Sequence, residues 1–315
     1  MVCSDLATIF IIRLMEATLR IATPLIFAAI GTTFSERSGV MNIGVEGMML
    51  LGAFSAVAIS YYTNDAWLGL LAAIFVGAFF GLLLAWSSIS LKFNQIVAGV
   101  AINLLGVGIP NYLLIALWNK PGFSPLVDSL SPIEIPLLSN LPIIGSLFSS
   151  QNILTYLALL LSIIAQIILF KTPLGLRIRS VGEHPLAADT AGINVYALRY
   201  SCVIFSGLMA GLAGASLSIG QLSFFSKQMT QGRGFIALGA MIFGKWTPLG
   251  SLGASLLFGF ADALQFSLQA IGVPIPSNLL MATPYVLTLI VLAGFVGVAK
   301  APAAVGRPYL KGESQ

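Results

Sequence analysis

Charge is scarce in this chain. Lys, Arg, Asp and Glu supply 8% of its 315 residues, against about 25% in an ordinary soluble domain, which excludes a water-soluble globule. Histidine is scarcer still. His184 stands alone, so His-cluster metal sites and Ser-His-Asp machinery are excluded, and catalysis by the chain itself is not expected. Cys3 and Cys202 lie far apart, the second in an apolar stretch, so neither a disulfide scaffold nor a Cys-based metal site is indicated. Dense basic runs are also missing: the +4 net charge and pI near 9.1 come from loop Lys and Arg, which argues against nucleic acid. Asp5, Arg13, Glu16 and Arg20 interrupt the first apolar segment, so no cleavable signal peptide is expected.

What the chain has is oil. Residues of hydrophobic type make up 57% of it, in recurring runs of about 20, the length that carries a helix across roughly 30 Å of hydrocarbon. This predicts an all-α polytopic membrane protein with a single transmembrane domain over residues 1–315. An amphipathic interfacial helix is expected at 3–16. About nine crossings follow, at Ala17 to Phe34, Val40 to Tyr62, Ala66 to Leu91, Gln95 to Trp118, Asn152 to Phe170, Ala197 to Gly220, Gly232 to Phe243, Leu249 to Ile271 and Leu279 to Val298.

A polar island at 171–199 carries Lys171, Arg177, Arg179, Glu183, His184, Asp189 and Arg199 between two apolar spans, so it is a loop at one membrane face. Within it, Pro185 suits a first helical turn, Ala187, Ala188 and Ala191 favour helix, and Gly192 stops it. Two turns are unstable alone in water, so this helix should pack on something, a cytosolic partner being the interesting candidate. With that loop inside, alternation puts Arg37, Lys92, Lys171, Arg177, Arg179, Arg199, Lys245, Lys300, Arg307 and Lys311 inside. Arg13, Arg20, Lys120, Lys227 and Arg233 fall outside or near the outer face. The positive-inside rule is obeyed, with the N-terminus and the loop at 119–150 outside and the C-terminus cytoplasmic.

Gly239 to Trp246 matches a phosphate-binding loop until Trp246 stands where Ser or Thr would hold magnesium, and it lies in an apolar span, so that reading fails. Polar residues inside spans are costly in lipid and should face protein or water. Gln95 and Asn103 share a helix face near Asn94, as do Ser255, Asp262, Phe266 and Gln269, and as do Asn42 and Glu46. Each stripe is either interhelical hydrogen bonding or a solute path. For Glu46 the alternatives are solute contact and an ion pair with Arg37.

Three passages together resemble one family. Ser38 to Ala53, Asn94 to Gly99 with Asn103, and Gly182 to Asn194 followed by Ser206 to Gly214 are similar to the membrane permeases of bacterial ABC importers. The branched-chain amino acid and ribose permease superfamily is the match, closest to its nucleoside (guanosine-type) branch. The resemblance implies an ABC importer permease fold with a cytoplasmic coupling helix, in the bacterial cytoplasmic membrane. It also implies a cytoplasmic ABC ATPase that binds the ATP and magnesium, a second related permease forming a heterodimer, and an extracytoplasmic solute-binding lipoprotein or periplasmic protein. Gly182, Glu183, His184, Ala187, Ala188 and Gly192 then couple to the ATPase, His184 standing where many relatives carry Asn. Asn42, Glu46, Asn94, Gln95, Asn103 and Asp262 are the candidates for the translocation pathway. The alternatives are a permease for a simple sugar or branched-chain amino acid, or an ion-coupled secondary transporter. Single cysteines placed in the 119–150 loop, in a chain lacking Cys3 and Cys202, should react with an impermeant reagent on intact cells; reaction only after permeabilisation contradicts the orientation.

Overall fold

The computed structural model describes residues 2–132, 151–271, 286 and 300–311. Ten α-helices follow one another in these segments: α1 Val2–Arg37, α2 Val45–Thr63, α3 Ala66–Ala85, α4 Gln95–Trp118, α5 Ile153–Lys171, α6 Pro173–Glu183, α7 Pro185–Thr190, α8 Val195–Leu217, α9 Arg233–Phe243 and α10 Pro248–Ile271. Their starts carry the expected chemistry. Asp65, Asn94, Asn152, Thr172 and Asn194 each accept a hydrogen bond from a first-turn amide of the helix that follows, satisfying donors that a helix start leaves free. Pro173 and Pro185 open α6 and α7, where a missing N–H costs nothing.

Seven of these helices are long and apolar enough to cross a membrane; two expectations change, and one falls on residues not described. Residues 3–16 are not a separate interfacial helix; they continue into α1 without a break. The span expected at Leu279 to Val298 lies outside the described residues. The span expected at Gly232 to Phe243 is an 11-residue helix, about 16 Å long at 1.5 Å per residue and so half of a crossing.

The other half of that crossing is irregular backbone. The stretch that follows α8 lies beside the segment after α4: Leu130 N donates to Ile219 O at 3.0 Å, Val127 N to Ser223 O at 2.9 Å and Ser124 N to Phe225 O at 2.9 Å. From there residues 223–232 run back along α2, with Phe225 edge-on to Phe54 at 5.4 Å, and reach the start of α2, where α9 begins. Helix α9 then completes the passage to the end of α1, where Arg37 Nε donates to Trp246 O at 2.8 Å. The seventh expected crossing is therefore an irregular stretch followed by a half-helix.

Helix α8 is the central post, touching α1, α2 and α3. Its contacts are made by missing side chains. A Cβ on Gly207 would meet the Gly77 carbonyl, one on Gly211 the Ala73 carbonyl, and one on Gly214 the Met49 carbonyl. In lipid such backbone-to-backbone approach replaces the hydrophobic drive that a soluble core would have. Gly207→Val should therefore lower the thermal midpoint of the detergent-solubilised protein clearly, since overpacking costs about 1–3 kcal/mol. The same change at Gly108, where a Cβ meets nothing within 4 Å, should leave it almost unmoved.

Candidate functional site

A helix that starts inside a bundle exposes N–H groups where no water can reach them. At the start of α9 those groups find Glu46. Its Oε1 accepts from Gly232 N at 2.9 Å and from the Thr230 hydroxyl, and its Oε2 accepts from Gly234 N at 2.7 Å. Glu46 as a residue is 9% exposed and Thr230 fully buried. Negative charge at a helix N-terminus also meets the positive end of the helix dipole. Gly234 is obligatory here, because a Cβ would sit 2.7 Å from both Glu46 Cα and Oε2.

The pairing of Glu46 with Arg37 does not occur. Arg37 is committed to the carbonyls of Trp246 (2.8 Å) and Lys245 (3.2 Å) and lies over the Phe170 ring, 5.6 Å from its centroid. Trp246, the residue that spoiled the phosphate-loop pattern, donates from its indole nitrogen to Glu36 at 2.6 Å.

Three other pathway candidates gather around the turn between α1 and α2. Gln95 Oε1 accepts from Met41 N at 2.8 Å. Asn103 accepts from Gly47 N at 2.7 Å and donates to Ile43 O at 3.0 Å. Asn42, fully buried, donates to Ser206 Oγ on α8 at 2.9 Å, while its Oδ1 has no partner. Asn94 stands apart and caps α4, accepting from Ile96 N and Val97 N. Asp262 is also separate, half-buried on α10 and attracted by Arg233. Arg233 itself was expected near the outer face. It occupies the first turn of α9, donates to Met229 O at 3.3 Å and is drawn by both Asp262 and Glu46. The signal that marks this break in the sequence is Thr230-Gln231-Gly232-Arg233-Gly234 ahead of a short apolar run, a pattern that points to a discontinuous helix.

The expected coupling residues form a second feature at the opposite end of α8. Glu183, His184, Ala187 and Gly192 are exposed, whereas Gly182 and Ala188 are buried. Gly182 packs so closely that a Cβ would strike the Arg37 carbonyl. Ala188 lies with Val181, Val195 and Tyr309 in a small apolar cluster. Tyr309 comes from the segment 300–311, more than a hundred residues beyond α7 in the sequence. Helix α7 therefore rests on its own chain.

Residues 14–296 match the family described as branched-chain amino acid transport system / permease component. The chain belongs to that permease family. Two relatives match it from end to end. The guanosine ABC transporter permease protein NupQ of Bacillus subtilis is 45% identical over 95% of this chain and 97% of its own length. The nucleoside ABC transporter permease protein NupC of Lactococcus lactis subsp. cremoris is 44% identical over 92% and 94%. The guanosine ABC transporter permease protein NupP of B. subtilis is more distant, 25% identical over 83% of this chain and 74% of its own. This permease is thus a multi-pass membrane subunit of an ABC importer, not an enzyme.

Because Glu46 serves α9 and not Arg37, the double exchange Arg37→Glu with Glu46→Arg should fail to restore folded yield. Glu46→Gln alone, which turns one accepting oxygen into a donor facing a main-chain N–H, should destabilise by about 1–3 kcal/mol in detergent unfolding. Full recovery by the exchange contradicts the assignment.

Proposed function

We propose that this permease carries nucleosides inward as one half of a heterodimer, powered by a separate ATPase that binds ATP and magnesium. The end-to-end match to NupQ and NupC at 44–45% identity carries this reading. The pairing follows from unequal resemblance: the two B. subtilis guanosine permeases match this chain at 45% and 25%, as expected if this chain fills the NupQ place and a more distant paralogue the other.

Gly182 to Gly192 would face the cytoplasm and meet the ATPase, while a solute-binding lipoprotein or periplasmic protein would deliver the nucleoside at the opposite face. The N-terminus is then outside and the C-terminus inside, in a bacterial cytoplasmic membrane. Asp262 is the best placed of the pathway candidates, since it has charge to offer and, among the described residues, serves no main-chain group. Asn42, Glu46, Gln95 and Asn103 would shape the path by holding the broken segment, and Asn94 by fixing the start of α4. Closure of the ATPase would shift α7 and rock the stiff, glycine-packed helices around the half-helix.

The assembled importer should hydrolyse ATP faster when guanosine or another nucleoside is presented with its binding protein, and should ignore glucose and leucine. Stimulation by glucose or leucine but not by nucleosides overturns the solute assignment. Ala187→Glu, on the exposed face of α7, should strip the ATPase from the purified complex.

A further inference from the structure

We infer that the ATPase docks on a composite surface in which the C-terminal segment 300–311 is a second contact element beside α7. This rests on the reading that α7 meets an ATPase. Area is the first argument. A stable protein interface buries about 800 Å² on each partner, and a helix of six residues, about 9 Å long and 10 Å wide, supplies only a small part of that. Any partner covering the exposed face of α7 must extend onto its flanks.

One flank is the C-terminal segment, and it is tied down at several points. Ala304 N donates to Gly182 O at 2.9 Å and Ala303 N to Glu183 Oε2 at 3.2 Å. Tyr309 is 3% exposed, in the cluster that buries Ala188, with its ring 5.4 Å from that of Tyr196. Lys311 pairs with Asp189 at 3.7 Å. Between the segment and α7 lies a cleft of about 140 Å³ whose two walls are His184 and Leu186 on one side and Ala303 and Arg307 on the other. A side chain from the ATPase seated there touches both elements at once. On the other flank, a wider cavity of about 790 Å³ between α6 and the start of α8 gives the same partner room to extend.

The segment also has a route into the membrane domain. Arg199, 2% exposed, donates to Arg307 O at 3.2 Å and to Ser38 O at 3.1 Å. One guanidinium thus links the segment to the turn that leads to Glu46. Gly39, with φ of +94°, leaves the space that this guanidinium fills, since a Cβ would lie 2.7 Å from its Nη2. A push on the composite surface reaches the α1–α2 turn through this side chain and through Gly182, which packs against the Arg37 carbonyl.

The test is photo-crosslinking in the fully assembled importer, with a benzophenone amino acid at Ala303, at Arg307 or, as reference, at Ala187. Capture of the ATPase from all three positions is expected. Capture from 187 but never from 303 or 307 overturns the composite surface and leaves α7 as the contact. No capture from 187 overturns the reading beneath it. In parallel, Tyr309→Ala should weaken ATPase association by about tenfold, while Tyr309→Phe, which keeps the ring, should match the native chain. Native association and uptake in Tyr309→Ala, with the permease pair intact by gel filtration, likewise overturns the inference.

Discussion

A main-chain N–H that ends a helix inside a membrane has to find an acceptor within the protein, because hydrocarbon offers none and each unsatisfied group costs several kcal/mol. In this permease Glu46 is that acceptor. It gathers the Thr230 hydroxyl and the Gly232 and Gly234 amides, and so permits a crossing made of irregular backbone and a half-helix. The same constraint explains its neighbours. The turn at 38–44 is also irregular, and Gln95 and Asn103 bond to its main chain and to the first turn of α2 that follows. Of the two readings open to these polar stripes, interhelical bonding is the one these contacts show for Glu46, Gln95 and Asn103.

Around this polar seam the packing is hard. Backbone meets backbone between α8 and the helices α2 and α3, with glycines at the contact positions. Close-packed interfaces of this kind move as bodies and do not deform continuously. A force applied at α7 and its C-terminal support therefore has a stiff path inward, through Arg199 to the α1–α2 turn and on to the half-helix.

Most of the scaffold was legible in the sequence because long apolar runs and helix-capping residues act locally. Asp65, Asn94, Asn152, Thr172 and Asn194 sit where the helices begin, and the polar island at 171–199 holds the short helices α6 and α7 between two long apolar ones. The failures were non-local. Residues 3–16 carry enough charge to read as an interfacial helix, yet nothing in them breaks α1. The seventh span reads as a crossing by hydropathy, while its upper half, residues 223–232, is held by bonds to residues about a hundred positions away at 122–127 and 184–186 positions away at Glu46. Glu46 and Arg37 are close in sequence and opposite in charge, which invites a pair; each is claimed instead by a distant segment, α9 and its C-terminal turn. Tyr309 and Arg199 were missed for the same reason, since only folding brings the chain's C-terminal segment under α7.

Hydrogen–deuterium exchange in lipid nanodiscs tests the central claim most directly. With Glu46 in place, the amides of the peptide spanning 230–236 should exchange slowly; in Glu46→Ala they should exchange orders of magnitude faster while peptides of α8 stay protected. Equal protection of 230–236 in both proteins would contradict the account, because the start of the half-helix would then be held by something other than this carboxylate.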